Sequence, residues 1–402
     1  MAKNWIVFAL ILGFRVASAQ EEITEDAFLR ELSPDHPAHV ALRVSVGDAE
    51  AAVKRTRALD NPELAFGVEA PQGLSTQTTW ALAWSPPLDG RRGLRVDAAE
   101  SALEAARFDL ASAELRLRAE ARAAYANWSV AHSRRELLAA QLAVHERIAR
   151  HVRARADAGE ASGLSARRVE LAVGEERAGL GRTEAMLARA RAAVCALDPQ
   201  LPTDARPVLP TLPAATTRID PSTRPDVQAR QEDVRKSEFE AREGRRFVAF
   251  PTLELGWQRF EESGVQWSGP VYGFAWTIPL FDRRQGDRLA SARRLDAAKA
   301  SAELATRRSS ADAEGAERAY AALRGAAMTA ADSVEDGDSL VESARAAYDL
   351  GEADTTDLLE TLRSVLRARL TALELQADAL AAHRALELAA GRPLTTSEGD
   401  KQ

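Results

Sequence analysis

The chain has 402 residues and a formal net charge of −7. This length allows a large core, and the acidic balance excludes a protein that holds nucleic acid mainly through its phosphates. The single cysteine, Cys195, excludes an intramolecular disulfide.

Residues 1–19 are predicted to be a secretory signal peptide. Lys3 comes before an apolar run from Trp5 to Phe14, and Ala17-Ser18-Ala19 supplies the small residues of a cleavage site. The run is too short to cross a bilayer as a helix, and no later run reaches that length. The sequence therefore predicts an exported protein and excludes a helical inner-membrane transporter.

The segment from residue 20 to about 38 is predicted to be an extended or weakly ordered lead-in, because it is polar and interrupted by two prolines. It contains His36 and His39, but one pair of histidines does not make a metal site. A first helix is predicted from Val46 to Leu59, with acidic residues in its opening turns and basic residues near its end.

The sequence patterns contain no recognisable catalytic machinery. The six histidines form no HExxH motif, and neither a phosphate-binding loop nor a nucleophile elbow occurs. We therefore expect no enzyme activity, no catalytic residue, no metal ligand and no cofactor.

Two alternating segments predict β-hairpins at about 61–86 and about 250–281. Their loops are predicted at Pro71 to Gln77 and at Glu261 to Gly269. Large apolar residues alternate with small or polar ones, which gives each hairpin one apolar face. The apolar residues are Leu64, Phe66, Val68, Trp80, Leu82 and Trp84 in the first hairpin, and Leu253, Leu255, Trp257, Tyr272, Phe274, Trp276 and Ile278 in the second.

Long helical hairpins are predicted after each β-hairpin, at about 91–197 and about 285–390. Neither stretch contains a proline, and both are rich in Ala, Leu, Arg and Glu. A single helix from Arg91 to Asp157 would be about 100 Å long. Apolar or small residues recur in it at heptad spacing, interrupted only at His145, which predicts a coiled-coil seam.

These units form an internal duplication. Trp84 reappears as Trp276, and the Gly-Glu turn at Gly159 reappears at Gly351, each 192 residues later. We therefore divide the chain into a first repeat at 20–198, a proline-rich linker without regular structure at 199–225, a second repeat at 226–391 and a loose end at 392–402.

Exported segments with one apolar face are more typical of outer-membrane β-strands than of a soluble sheet. Four strands cannot close around a lumen, and an open edge in lipid leaves backbone groups unpaired. The predicted fold class is therefore mainly α with membrane β, and the barrel is completed by other copies of the chain. The long polar helices are expected in the periplasm.

Several short patterns together resemble the outer membrane efflux proteins of the TolC type. The resemblance implies a homotrimer with a twelve-stranded β-barrel in the outer membrane of a Gram-negative bacterium, continued by an α-helical barrel through the periplasm. It also implies a periplasmic adaptor and an inner-membrane transporter of the RND type as partners. The patterns are Asn61-Pro62-Glu63-Leu64, Pro87-Leu88, Gly90-Arg91-Arg92 and the paired Gly-Glu tips.

The function implied by the resemblance is that of a passive exit duct of a tripartite pump. The Asn-Pro-Glu-Leu and Gly-Arg-Arg patterns are similar to the CzcC-type branch, which accompanies exporters of heavy-metal cations. Ducts for drugs or for polypeptides of type I secretion are alternatives. A periplasmic coiled-coil adaptor without a barrel would explain the heptads but not the duplicated hairpins.

By the same resemblance, the second helix tip constricts the periplasmic entrance. Tyr348, Asp357 and Glu360 match the positions of the gate and of an acidic ring, whereas Ala353 replaces the family's gate arginine. The alternative is that Asp357 and Glu360 are solvated acids on a helix surface.

The remaining candidates lie at the helix tips and at the membrane boundary. Adaptor contacts are expected at Gly159, Glu160, Gly351 and Glu352. An aromatic interface belt, or alternatively sheet packing, is expected at Trp84, Tyr272 and Trp276. Contacts with lipid headgroups, or alternatively solvated helix starts, are expected at Arg91, Arg92, Arg283 and Arg284.

Overall fold

The structure is a computed structural model, and it describes residues 22–70, 75–159, 162–214, 219–246, 251–278 and 280–394. The predicted signal peptide and Glu160 lie outside the described residues, as does most of the predicted loose end. In the described ranges, none of the helices combines the length and the hydropathy needed to cross a membrane.

The described chain is mainly helical. The elements in order are β1 (Glu22–Ile23), α1 (Glu25–Glu31), α2 (Pro37–Arg57), β2 (Glu63–Glu69), β3 (Thr76–Trp84), α3 (Arg91–Asp157), α4 (Gly163–Leu197), β4 (Arg206–Pro207), a 3₁₀ turn (Pro221–Thr223), α5 (Pro225–Gly244), β5 (Thr252–Glu262), β6 (Val265–Ala275), α6 (Gln285–Ser333), α7 (Gly337–Leu350) and α8 (Thr355–Ala390).

The chain folds as two compact units, each assembled from three segments. Unit one contains the residues up to Leu32, then Ala121–Thr211 and Ala330–Ala377. Unit two contains Ser33–Glu120, Leu212–Thr329 and the residues from Asp378 onwards.

The predicted lead-in is wrong, because the structure places regular elements there. The Thr24 hydroxyl accepts a hydrogen bond from the Ala27 N–H at 3.2 Å and caps α1. Helix α2 begins at Pro37, nine residues before the predicted Val46. Proline interrupts a helix interior, but at the first helical position it removes only an N–H that has no partner in the helix.

Unit one packs around an aromatic cluster in which Phe28, only 1% exposed, contacts Tyr125 and Trp128 lies edge-on to Tyr125. The Tyr125 hydroxyl lies 2.6 Å from the carbonyl oxygen of Ile23 and 2.8 Å from that of Val208. Burial raises the pKa of the Tyr125 phenol well above its usual value, so the hydroxyl keeps the proton that it donates.

The linker is also more ordered than predicted. Arg206–Pro207 pairs in parallel with Glu22–Ile23, so a short strand occurs where we expected none. In unit two, the Tyr320 hydroxyl donates to the Pro213 carbonyl at 2.5 Å, and the Ser309 hydroxyl donates to the Pro221 carbonyl at 2.8 Å. Prolines keep their carbonyl acceptors, and helix side chains use these to hold the linker in place.

The two repeats differ in their long helices. Helix α3 is continuous through His145, whereas α6 ends at Ser333 and α7 starts at Gly337, the position 192 residues after His145. A Cβ at Gly337 would lie 3.0 Å from Val365 Cγ1 on α8. The close approach of α8 explains why a glycine stands here, and glycine lowers helix propensity.

The sheet lies in unit two and has the strand order β2-β3-β5-β6, all antiparallel. The strands of its second hairpin extend further towards the turn than predicted, because the expected loop at Glu261 to Gly269 is mostly strand. Ser263 and Gly264 both have positive φ angles, of 50° and 83°, and connect the paired residues Glu262 and Val265. Two such residues form a two-residue turn that matches the twist of the strands.

We predict that Tyr125→Phe loosens the start of unit one. Loss of one buried hydrogen bond costs about 1 kcal/mol, which corresponds to an increase of about fivefold in the population that is open to local unfolding. Tryptic cleavage after the exposed Arg30 on α1 should accelerate accordingly. Tyr272→Phe, at an exposed phenol in the sheet, serves as the control and should leave the cleavage rate unchanged; equal rates in all three proteins would contradict the role of Tyr125.

Candidate functional site

One face of the sheet is a continuous apolar surface. Its residues are exposed, from 37% at Trp84 to 76% at Tyr272. Soluble monomers rarely expose an apolar patch of this extent, and the arrangement is typical of a lipid-facing sheet. Directly paired residues form its rows, which are Trp84, Leu253 and Phe274; Leu64, Leu82, Leu255 and Tyr272; and Phe66, Trp80, Trp257 and Pro270.

The opposite face carries small and polar side chains. A Cβ at Gly256 would lie 2.6 Å from the Trp80 carbonyl oxygen, so this position requires glycine for the strands to approach. Small residues leave open space on this face, as expected for the wall of a water-filled channel. Two of its rows are Ala65, Ala81, Gly256 and Val271, and Gly67, Thr79, Gln258 and Gly269.

The three predicted interface aromatics differ in their surroundings. The Trp84 indole N–H donates to the Asp60 carbonyl at 3.1 Å, so the one polar group of this ring has a partner at the end of the sheet that precedes α3. Tyr272 and Trp276 are well exposed on or next to the apolar face. This placement is compatible with an interface belt, because each ring offers lipid an apolar body.

Three of the four junction arginines are engaged by their own unit. Arg91 pairs with Asp89, and Arg92 donates to the Arg57 carbonyl. Arg284 binds Asp287 at 3.0 Å and Glu243 at 3.4 Å, whereas Arg283 is exposed. Arg91, Arg92 and Arg284 therefore stabilise the strand-to-helix junctions through contacts within the chain.

Both helix tips end in left-handed glycines. Gly159 has a φ of 81°, and its N–H donates to the Ala156 carbonyl at 3.0 Å. Gly351 has a φ of 77° and donates to the Tyr348 carbonyl, while the Glu352 N–H donates to the Ala347 carbonyl at 2.9 Å. These bonds form a Schellman cap, which terminates α7 and turns the chain.

Asp357 takes part in a capping box at the start of α8. The Asp354 carboxylate accepts hydrogen bonds from the N–H groups of Thr356 and Asp357, at 2.6 and 2.8 Å. The Asp357 carboxylate accepts in return from the Asp354 N–H at 3.2 Å. Asp357, which the resemblance placed in an acidic ring, therefore also stabilises the start of α8.

Tyr348 is a packed residue of unit one, with only 6% of its surface exposed. Its ring contacts His151 edge-on at 6.3 Å between centroids, and the Arg155 guanidinium lies 5.7 Å from its centroid. It belongs to the apolar cluster that contains Val152 and Leu358. Within one chain, Tyr348 therefore stabilises the tip from inside.

Glu360 lies on a groove of about 600 Å³ between α4 and α8. Arg168, Arg363 and Arg367 line the same groove, so this acid shares it with three basic side chains. Sequence reasoning missed the groove, because its arginines come from segments almost 200 residues apart and only the packing of α4 on α8 brings them together.

Three of the histidines contact polar groups of their own unit. His145, which interrupts the heptads, is fully buried, with Nδ1 2.5 Å from a Glu176 carboxylate oxygen. The Nδ1 atom of His36 accepts the Ala38 N–H at 3.2 Å and caps α2, while His39 lies 3.8 Å from Glu114. Among the described residues, no cluster of three or more potential metal ligands occurs.

Comparisons with known proteins place these features in context. The family described as "Outer membrane efflux protein" matches residues 31–198. The cobalt-zinc-cadmium resistance protein CzcC of Cupriavidus metallidurans is 26% identical over 334 residues, covering 80% of this chain and 78% of that protein.

Solved structures are similar over almost the whole chain. The outer membrane protein VceC of Vibrio cholerae has a TM-score of 0.74 at 17% identity, covering 92% of this chain and 96% of VceC. The CmeC outer membrane channel of Campylobacter jejuni has a TM-score of 0.77 at 14% identity, covering 93% of this chain and 87% of CmeC. At these identities the likeness establishes the fold.

We predict that the α8 cap weakens in acid. Hydrogen bonds from the N–H groups of Asp357 and Thr356 hold the pKa of the Asp354 carboxyl below its usual value. A lowered pKa means that the stabilisation is present above the unfolded pKa and is lost as the pH falls through the folded one. Hydrogen exchange at Thr356 and Asp357, referred to the exchange of unstructured peptides at the same pH, should therefore lose protection at the acid end.

Asp354→Ala should remove this protection at every pH, whereas Asp354→Asn should keep most of it and abolish the pH dependence, since an amide oxygen still accepts. A pH profile shared by the wild type and Asp354→Asn would show that the cap does not depend on this carboxylate.

Proposed function

The chain belongs to the outer membrane efflux protein family, and we propose that it exports divalent heavy-metal cations. Family membership and the TolC-like fold confirm the resemblance drawn from the sequence. The chain is accordingly an outer-membrane exit duct of a tripartite efflux pump and extends into the periplasm. The cargo, the trimer and the identity of the partners are the proposed parts.

The similarity to CzcC carries the proposal for the cargo, because it extends over 80% of this chain and 78% of a protein named for cobalt, zinc and cadmium resistance. The charge of the second tip supports it. Five exposed acids lie within twelve residues, and their negative potential would concentrate cations at the mouth of a duct. They are Asp349, Glu352, Asp354, Asp357 and Glu360.

Closure of the sheet supports a homotrimer. Strands β2 and β6 each pair on one side within the described chain, which leaves two open edges. In lipid, each unpaired backbone group costs several kcal/mol. Pairing β6 of one copy with β2 of the next removes both edges, and three copies supply the twelve strands that the resemblance implies.

The helix tips and the apolar face account for the other proposed partners. The capped turns at Gly159 and Gly351, with Glu352 beside the second, are the surfaces for a periplasmic adaptor. The apolar face of the sheet contacts outer-membrane lipid. An RND-type transporter in the inner membrane would supply the energy, because a passive duct has no motor of its own.

Gate chemistry at the second tip centres on the acids. Ala353 cannot provide the salt bridge of the family's arginine, and Tyr348 is packed within unit one. One carboxylate oxygen of Asp357 accepts a hydrogen bond in the cap, whereas Glu360 shares an open groove with three arginines. We therefore assign Asp357 to positioning the helix start, and Glu360 to the entrance charge only as one of the five acids of the tip, because three arginines line its own groove.

Deletion of the gene tests the cargo. We predict that the strain without the duct becomes more sensitive to cobalt, zinc and cadmium, and that sensitivity to hydrophobic drugs stays unchanged. Re-expression of the wild-type chain should restore growth in metal. Drug sensitivity alone would support the multidrug alternative and would contradict the metal cargo.

Conductance in planar bilayers tests the entrance charge. We predict that Glu360→Gln lowers cation selectivity, and that Asp357→Asn adds to this effect while preserving the cap through its amide oxygen. Glu342→Gln, at an exposed acid on α7, is the matched control and should leave selectivity unchanged. Unaltered selectivity in the double variant would remove both acids from the entrance.

A further inference from the structure

The polarity of the sheet reverses near the tip of the second hairpin. Phe260 on β5 pairs directly with Trp267 on β6, and their rings stack with centroids 5.8 Å apart and an interplanar angle of 21°. Residues alternate between the two faces of a strand, so Phe260 lies on the face opposite Trp257. This aromatic pair therefore belongs to the face of small and polar residues.

At the level of Phe260 and Trp267, the face that is apolar elsewhere in the sheet carries polar side chains. Arg259 donates to the Gln266 side chain, whose amide donates to Glu261 at 2.8 Å. The lipid-facing rows have therefore ended below these residues. Aromatic side chains here project from the face that the proposed function assigns to the lumen.

The strand register determines which face of the sheet carries Phe260 and Trp267. The two-residue turn at Ser263 and Gly264 fixes the pairing of Glu262 with Val265, and the same ladder continues to Phe260 and Trp267. A slip by one residue would move every apolar row from one face to the other. The aromatic pair and the apolar face are consequently fixed by one ladder.

We propose that this pair forms an aromatic collar that narrows the outer exit of the duct, with the same pair from two further copies of the chain. The proposal rests on the proposed function, because it needs three copies around one lumen. Trp267 is 49% exposed in the single chain, and an aromatic surface of this size in water is stabilised when further apolar groups or a solute cover it.

The neighbouring rows make the narrowing local. The row below the collar contains two glycines, Gly67 and Gly269, together with Thr79 and Gln258, and the Gln258 amide donates to the Thr79 hydroxyl at 3.3 Å. The row of the collar is completed by Glu69 and Gln77. Phe260 and Trp267 are the largest side chains in these two rows, so the collar limits the size of solutes that pass.

Polymer exclusion in planar bilayers measures this limit. Polyethylene glycols of increasing size, added on the hairpin side, reduce conductance only when they enter the pore. We expect Phe260→Ala with Trp267→Ala to raise single-channel conductance and to admit a larger polymer than the wild type. Trp80→Ala with Trp257→Ala, a pair on the apolar face, is the matched control and should keep the wild-type cut-off.

A thiol substitution covers the case in which the alanine variant does not assemble. Trp267→Cys, in a background with Cys195→Ala, should react with a charged methanethiosulfonate reagent from the aqueous phase and lose conductance. Trp257→Cys in the same background should not react, since its face lies in lipid. Reaction of the Trp257→Cys variant without reaction of the Trp267→Cys variant would overturn the assignment of the faces.

The outcomes separate the collar from the duct. A conducting channel whose cut-off and conductance are unchanged in the aromatic variants, and whose Trp267→Cys variant is unaffected by the thiol reagent, overturns the collar and leaves the duct intact. A wild-type protein that forms no channel overturns both. A larger cut-off in the Phe260 and Trp267 variant, with the wild-type cut-off in the Trp80 and Trp257 control, supports the collar.

Discussion

Backbone hydrogen bonding in lipid is the constraint on which the interpretation of unit two depends. The four strands satisfy one another internally, but β2 and β6 are edges, and one face of the sheet is apolar. In water, the unpaired backbone groups of the edge strands can bond to solvent, but the exposed apolar face is unfavourable. In lipid, the apolar face is favourable, but the unpaired backbone groups are costly. Under the proposed function, pairing between copies of the chain in lipid satisfies both, so assembly and membrane insertion would share one physical cause.

The sequence was sufficient for the features that rest on long-range pattern. Absence of proline and strong helix propensity predicted α3 from Arg91 to Asp157 with the bounds that the structure has. The errors came from local exceptions. Pro37 was taken as an interruption although it starts α2, and Pro270 lies inside β6, which begins within the expected loop at Glu261 to Gly269.

The candidate site was less predictable, because charge and location do not determine what a side chain contacts. Asp357 was identified as an acid near a tip, and its place in the capping box follows from the pattern Asp-Thr-Thr-Asp, which sequence reasoning left unused. The groove around Glu360 had no local signal. Its arginines meet only after the two helices of unit one have packed together.

Duplication produced two similar repeats but not two similar tips. In the first repeat, α3 is continuous and carries the buried His145 next to Glu176. In the second, the equivalent position is Gly337, the helix is interrupted, and α7 has only 14 residues before Gly351.

A short helix contributes few hydrogen bonds of its own, so its stability comes mostly from tertiary packing. That packing comes from one apolar side of α7, on which Val341 and Ala344 also pack. Gly337 and Tyr348 are the buried residues of α7 among those described, and Tyr348 joins the cluster that contains Val152 and Leu358. The tip that carries the acids therefore depends on the packing of Tyr348, Val341 and Ala344, whereas the first tip is continuous with a helix of 67 residues. The repeats thus share a fold while differing in how firmly each tip is held.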